Sequence, residues 1–474
     1  MMNSLLLLGF SSFALSLFLT PFVRNQAVRL GLVDYPDNHR KIHKLPIPRL
    51  GGVAILAATA GAYALLLLAG VSSGHIVREG LPFAVRFLPA VLVIFGAGLI
   101  DDIFDVKPWY KLAAQIVAAV LAWNSGIRLY AIGGHSFSVT GSFLLTLAWI
   151  VAYSNAVNLI DGVDGLAAGA GLFAAITTLI AGLLHGNMEL IFATVPLAGA
   201  LLGFLRFNFS PASIFLGDCG SLTLGFLLGC YGIVWSEKST TLLGMTAPLL
   251  ALSVPLLDAG ISIVRRFLRQ QPIFRGDRDH IHHKLLSQGL TPRRVVLILY
   301  GFCGMAAAAS LLMTEAHQQY QGLVLVLVCL VGWLGLQHLG YSEFEVAGKL
   351  VLGGGFSRLL RARITLAGCE QELAAATTLE QSWAVICRAY PQFGFSGAEL
   401  HLEEVMRDGD LSGIWHIRID FPGQGHIHLV RQPGPDTSGA AAVLFIDCIA
   451  QVFARKLDEL ERETALLPAF ANAD

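Results

Sequence analysis

Eleven apolar stretches, each long enough or nearly long enough to cross a bilayer as a helix, follow one another through the first 340 residues. They cover 3–23, 50–70, 84–103, 110–124, 142–158, 166–184, 188–206, 221–236, 242–264, 294–314 and 320–340. A spanning helix needs about 20 apolar residues, and helices or closed barrels are the only backbones that satisfy themselves in lipid. The weakest stretch is 110–124, which is short and interrupted by Gln115. Hydrophobic residues make up 55% of the 474 and charged residues 14%, against about a quarter charged in a soluble chain. The expected fold is an all-α polytopic membrane protein of about eleven transmembrane helices, followed by a C-terminal cytoplasmic α+β domain. A net charge of −1 gives no case for nucleic acid. Seven cysteines without a Cys-x-x-Cys pair imply neither a disulfide framework nor a zinc ribbon. No basic residue precedes the first stretch, so it reads as a transmembrane helix and not as a cleaved signal.

Lys and Arg set the orientation. The breaks after the odd-numbered stretches hold seventeen of them, from Arg24 to Arg294, and the breaks after the even-numbered ones hold Arg78, Arg86, Arg128 and Lys238. The odd breaks are therefore expected to be cytoplasmic, with the N-terminus outside. Every acidic or His-rich motif falls on that same side.

The central motif is Asn155-Ala-Val-Asn-Leu-Ile-Asp-Gly-Val-Asp-Gly-Leu166, between two apolar runs. It delivers Asn155, Asn158, Asp161 and Asp164 to the end of a span, where polar groups are costly and usually functional. The spacing of Asp161 and Asp164 predicts one helical face for both. Such a set suits a hard cation such as Mg²⁺ and a phosphorylated ligand. Leu99-Ile-Asp-Asp-Ile-Phe-Asp105 brings Asp101, Asp102 and Asp105 within about one turn. Adjacent carboxylates repel unless a cation or proton is shared, which suits one of them to proton transfer. In Phe207–Ser221, Gly217 and Gly220 flank Asp218 ahead of a helix expected to start at Ser221. That arrangement offers a carboxylate to an ion and backbone N–H groups to an anion. Phe215 either stacks on a planar base or packs against apolar neighbours. The Asp34–Gly52 loop holds His39, Arg40, Lys41, His43, Lys44 and Arg49, denser than anchoring to lipid requires, and predicts phosphate contact. The break after the ninth stretch ends in His280-Ile-His-His283, near Arg275, Arg278 and Lys284. It lacks the i, i+4 spacing of zinc proteases and reads as an anion-binding loop. Asp258, inside the ninth stretch, has no chemical step assigned to it.

Taken in register, these five motifs resemble those of the polyprenyl-phosphate N-acetylhexosamine-1-phosphate transferases, in the bacterial WecA/TagO-like branch related to MraY. The resemblance covers about residues 1–340. It implies an inner-membrane enzyme with a cytoplasmic cleft. The enzyme would move N-acetylhexosamine 1-phosphate, GlcNAc being the branch default, from a UDP-sugar to undecaprenyl phosphate and release UMP. This is the first membrane step of cell-surface polysaccharide synthesis, as for lipopolysaccharide O-antigen or exopolysaccharide. It also implies Mg²⁺, or Mn²⁺ in its place. Carried over to this chain, Asp218 and Asn155 match the metal positions. Asp101 and Asp102 match the acidic pair, one of which deprotonates the lipid phosphate, and His282 joins them as catalytic. Asn158, Asp161 and Asp164 match the nucleotide–metal motif, and Phe215 the aromatic on uracil. His280 and His283 match the loop near the diphosphate and sugar, with Lys44, Arg49 and Arg275 as phosphate contacts.

Two other functions compete. A membrane prenyltransferase would use Asp101-Asp102-x-x-Asp105 on a prenyl diphosphate and leave Asp218 and the histidines unexplained. A transporter would place acids near mid-membrane and repeat its halves, and no internal repeat is found. After residue 340 the composition changes. Gly353–Gly355 predicts a hinge, 370–390 and 440–463 helices, and 398–404, 414–421 and 426–432 strands. The pattern is faintly GAF-like, with a regulatory or dimerising role as the expectation.

Overall fold

The computed structural model describes residues 2–35, 46–69, 74–132, 135–236, 253–268, 280–315, 318–338, 355–401, 415–421, 425–431 and 439–460. Lys44, Arg275, the rest of the basic cluster at 39–44, the first half of the ninth stretch and the Gly353–Gly354 part of the hinge lie outside the described residues. The chain divides into two compact units, Met1–Gly340 and Tyr341–Asp474.

In the first unit the helices are α1 (Met2–Arg29), α2 (Gly51–Leu68), α3 (Gly74–Phe104), α4 (Pro108–Ser125), α5 (Val139–Ile160), α6 (Leu166–Leu184), α7 (Met188–Asn208), α8 (Gly217–Ser236), α9 (Ser253–Leu268), α10 (Ile281–Ser287), α11 (Pro292–Glu315) and α12 (Gln318–His338). Among the described residues, eight are long and apolar enough to cross a membrane: α1, α2, α3, α5, α6, α7, α8 and α11. The other three expected spans are also helical, as α4, α9 and α12. Lys111 and Gln115 dilute the apolar character of α4, and the apolar parts of α9 and α12 are short.

Helix α8 is the centre of this unit, with 83% of its apolar window buried, and it packs on α2, α3, α5 and α6. Helices α1 and α3 are peripheral, with apolar side chains such as Phe10, Phe18 and Leu92 exposed, as a lipid-facing surface requires. Small residues let the backbones meet at the centre. Gly52 of α2 lies against Gly220 of α8, and Gly98 of α3 lies against Asp218 and Cys219.

Helix α7 carries Pro196, whose missing N–H leaves the carbonyl of Phe192 without its helical donor. The Tyr63 hydroxyl of α2 donates to that carbonyl at 2.8 Å, and the Tyr231 hydroxyl of α8 donates to the next carbonyl, Ala193, at 3.3 Å. One and two turns further along α7, Ser12 and Ser16 of α1 donate to the carbonyls of Pro196 and Ala200.

The second unit contains α13 (Gly355–Ala375), α14 (Leu379–Ala389), β5 (Gly397–His401), β6 (Trp415–Phe421), β7 (Gly425–Arg431) and α15 (Gly439–Cys448); the two-residue strands β1 (Val33–Asp34), β2 (Ile47–Pro48), β3 (Ala131–Ile132) and β4 (His135–Ser136) belong to the first. Its three strands form an antiparallel sheet in the order β5-β7-β6, with Leu400 opposite Ile427 and Ile419 opposite Ile427. These join Phe393, Phe421, Phe445 and Phe453 in one core. The single helix expected over 370–390 is two helices, because the Thr378 hydroxyl accepts from Gln381 N–H and starts a new one.

Candidate active site

The ends of α3, α4, α5 and α8 converge on Asp218. Asp102, near the end of α3, accepts from the backbone N–H of Asp218 at 2.8 Å and of Cys219 at 2.9 Å. A carboxylate from one helix thus caps another, satisfying two of the amides that a helix start leaves open. That cap explains a difference from the sequence reading: α8 begins at Gly217, so Asp218 sits in its first turn and not in a loop ahead of Ser221. Asp101 accepts from Val106 N–H at 2.9 Å and from Lys111 Nζ at 3.0 Å. The same Nζ lies 2.8 Å from Asp218 Oδ2, while Asn158 Nδ2 donates to Asp218 Oδ1 at 3.0 Å and to Ser221 Oγ at 2.9 Å. Two carboxylates from different helices therefore face one cation, the Lys111 ammonium.

The loop before Asp218 is held by backbone pairing to the start of α2. Phe215 N–H donates to Pro48 O, Gly51 N–H to Phe215 O, and Gly52 N–H to Leu216 O, all within 2.8–2.9 Å. Phe215 is half-buried there. Gly217 has φ +74, and a Cβ on it would overlap the Arg49 carbonyl and crowd Asp102. The Arg49 guanidinium pairs with Asp34 across the ribbon formed by Val33–Asp34 and Ile47–Pro48, so in this structure it latches the loop.

The Asn155–Gly165 motif is divided between a helix end and a turn. Asp161 and Asp164 do not share a helical face, because α5 stops at Ile160 and Gly165 at φ +80 starts α6 anew. The Asp164 carboxylate accepts from Ala212 N–H at 3.0 Å, tying this turn to the loop before α8. Asp161 keeps some solvent contact, yet its carboxyl is held well above the usual range. Withdrawal from water is the first cause, and the charges of Asp218, Asp102 and Asp164 add to it. Asn155 exchanges amide hydrogen bonds with Gln115 of α4 and donates to Val151 O, which leaves Asn158 as the amide at Asp218.

The histidine motif also departs from the sequence reading. His280 is the N-cap of α10 and His282 and His283 are in its first turn, so this is a helix start and not an open loop. His282 is 2% exposed with Nε2 unpartnered, and a Cβ on Gly162 would lie 2.8 Å from that nitrogen. Burial, and after it the neighbouring His283, pushes the imidazole down to about 3, so it is neutral at working pH. Asp105 lies past the end of α3, exposed and at φ 54, apart from the contacts that engage Asp101 and Asp102.

Lys111, Gln115, Ser221 and Tyr300 were not singled out by sequence reasoning. Lys111 reads as a boundary charge and Gln115 as an interruption. Tyr300, whose hydroxyl donates to Gly165 O at 2.6 Å, carries no sequence signal beyond being a polar-tipped residue in an apolar run.

The comparison with known proteins bears on this geometry. Residues 84–236, which hold Asp101, Asp102, Asn158 and Asp218, match the model of glycosyl transferase family 4. A Bacillus subtilis (strain 168) protein named as a probable undecaprenyl-phosphate N-acetylglucosaminyl 1-phosphate transferase is 32% identical over 325 residues, covering 66% of this chain and 86% of that protein. The chain belongs to glycosyl transferase family 4. This family 4 chain is also 38% identical to the decaprenyl-phosphate N-acetylglucosaminephosphotransferase of Mycobacterium tuberculosis (strain ATCC 25618 / H37Rv), over 65% of its own length and 81% of the relative's. It is 32% identical to a phospho-N-acetylmuramoyl-pentapeptide-transferase of Streptococcus thermophilus (strain ATCC BAA-250 / LMG 18311), over 60% and 88% respectively.

Proposed function

We propose that this chain transfers N-acetylhexosamine 1-phosphate, with GlcNAc as the first donor to test, from a UDP-sugar to undecaprenyl phosphate and releases UMP. The observation that carries the reading is the convergence on Asp218 of Lys111, Asn158 and the Asp102 cap, from three helices beside the one that holds it. The names of the relatives, each a phosphosugar transferase, support the same reaction. Taken together, the odd-numbered breaks hold seventeen Lys and Arg against four in the even-numbered ones, which supports a cytoplasmic position for the site and for the 341–474 extension.

In the step, an oxygen of the lipid phosphate forms a bond to the sugar-bearing phosphorus. That phosphorus loses its bond to the bridging oxygen, which leaves with the electron pair as part of UMP. An anion attacking a diphosphate meets charge repulsion, so fixed cations and oriented donors lower the barrier. Lys111 supplies such a cation, held by Asp101 and Asp218. The Asn158 amide and the Asp102 cap fix the position of Asp218. Asp101 and Asp218 are the residues that would hold Mg²⁺. Their oxygen donors already face a cation, and Mg²⁺ is ordinarily held by one or two carboxylates with water and substrate phosphate. Among the described residues no three His, Cys, Asp or Glu side chains form a protein-only metal cage. When bound, the ion neutralises charge on the diphosphate. Phe215 and Asp164 are assigned to the nucleotide side of the site and the histidine helix to the diphosphate and sugar.

Membranes carrying the protein, incubated with undecaprenyl phosphate, Mg²⁺ and a panel of UDP-HexNAc donors labelled in the sugar, are expected to yield labelled lipid and UMP. No labelled lipid with any donor, and turnover of prenyl diphosphate in its place, would reverse the assignment. Gly162→Ala is expected to push His282 out of its seat. Turnover should then fall ten- to a hundredfold, about what a misplacement near 1 Å costs, and steady-state kinetics on the purified variant checks it.

A further inference from the structure

We infer that Asp258, inside α9, is a positioning residue that sets the histidine-bearing helix α10 against the Asp161–Asp164 turn. The inference rests on the transferase reading for its kinetic consequence, and on geometry alone for the placement itself.

Asp258 is 1% exposed in an otherwise apolar helix, where a carboxylate without a task is costly. Its Oδ1 accepts from Ile281 N–H at 2.8 Å, the first amide of α10. Its Oδ2 lies 3.1 Å from His280 Nδ1. Ser262, one turn further along α9, has its Oγ 3.2 Å from the same nitrogen. Oδ2 meets no well-directed hydrogen bond. The Asp258–His280 contact is therefore one of proximity, while Ser262 Oγ lies at hydrogen-bond distance from the same nitrogen. Together they fix which way the ring faces.

The consequence travels through stacked rings. His280 and His282 lie parallel, with centroids 5.7 Å apart and planes 6° apart, and His282 and His283 are 4.3 Å apart. His282 in turn sits over Gly162, between Asp161 and Asp164. A helix of seven residues does not hold itself together. Among its attachments are the Asp258 cap and the packing of Leu285, which is 7% exposed. Asp258 thus ties α9 to the site through α10, although it touches no residue of the Asp218 cluster in the contacts described above.

The test uses the full-length protein in detergent or nanodiscs with Asp258→Asn, Asp258→Ala, His280→Ala and the double variant Asp258→Ala/His280→Ala. Asn keeps an acceptor for Ile281 N–H but turns an amide towards His280 Nδ1. Asp258→Asn is expected to lower kcat roughly ten- to a hundredfold, the usual cost of losing a partner that orients a functional histidine. Donor KM should stay within about threefold and the melting midpoint within about 2 °C, since the cap survives. In the cycle, the double variant should be no slower than the slower single variant, because the two residues act as one unit. Hydrogen exchange over residues 280–287 should be about tenfold faster in Asp258→Ala and unchanged elsewhere. Exchange needs no turnover, so it decides the placement even if the parent protein proves inactive with every donor, a result that would refute the transferase reading instead. Parent-level kcat in Asp258→Asn, multiplicative losses in the cycle, or unchanged exchange in Asp258→Ala would each overturn the inference.

Discussion

Asp218→Asn is expected to abolish most transfer, lowering kcat/KM by about a hundred- to a thousandfold, the range for removing one charge-bearing group from a preorganised site. The substitution keeps the volume and an acceptor for Asn158 but removes the charge that Lys111 answers at 2.8 Å. Lys111 would then be held by Asp101 alone, at 3.0 Å. The amide of residue 218 still donates to Asp102, so the fold around the start of α8 should survive. The measurement is labelled-lipid formation by purified protein across a Mg²⁺ titration, with a thermal melt alongside. The expected pattern is an unchanged melt, lost activity, and no recovery at high Mg²⁺. Activity within threefold of the parent would remove Asp218 from the centre of the chemistry.

Gly217→Ala is expected to have the largest effect on folding. Residue 217 sits at φ +74, a conformation that costs a side-chain-bearing residue about 1 kcal/mol or more. Its missing Cβ is also where the Arg49 carbonyl and a carboxylate oxygen of Asp102 approach. Relieving the overlap means pulling the Pro46–Gly52 segment away from α8 or moving Asp102 off its cap. The expected loss is at least about 3 kcal/mol, in the range of strained-backbone and overpacking changes taken together. It should appear as poor recovery of monodisperse protein and a lowered melting midpoint. Gly186→Ala is the matched control. It has φ +65 with nothing within 4 Å of an added Cβ, so it carries backbone strain without the clash. Equal losses in the two variants would mean that the contact with Arg49 and Asp102 contributes nothing.

What could be read from the sequence followed from membrane physics. A carboxylate or amide at the end of an apolar run is expensive, so Asp101, Asp102, Asn158, Asp161 and Asp218 stand out without any structure. The structure brings residues from each of their loops together. Partners are what the sequence does not carry. Asp102 caps α8 from 116 positions away, and nothing in Leu99–Asp105 says that its oxygens face backbone amides and not only an ion. The helix start at Gly217 was missed for the same reason, because local patterns look for a cap nearby in sequence. Lys111 counts as a positive-inside charge until its two carboxylates are seen. Asp258 looked idle because its partners lie past a stretch of chain with no periodic pattern. The three-residue spacing of Asp161 and Asp164 reads as helical, although the helix breaks between them, at Gly162 and Gly165.

The most direct measurement uses UDP-GlcNAc carrying tritium in the sugar and ³²P on the sugar-bearing phosphorus, with undecaprenyl phosphate and Mg²⁺. Both labels should enter the lipid in equal amounts while the released nucleotide is unlabelled UMP. Tritium reaching the lipid with ³²P left behind in UDP would mean transfer of the sugar alone, and would contradict attack at phosphorus in the Asp218 site.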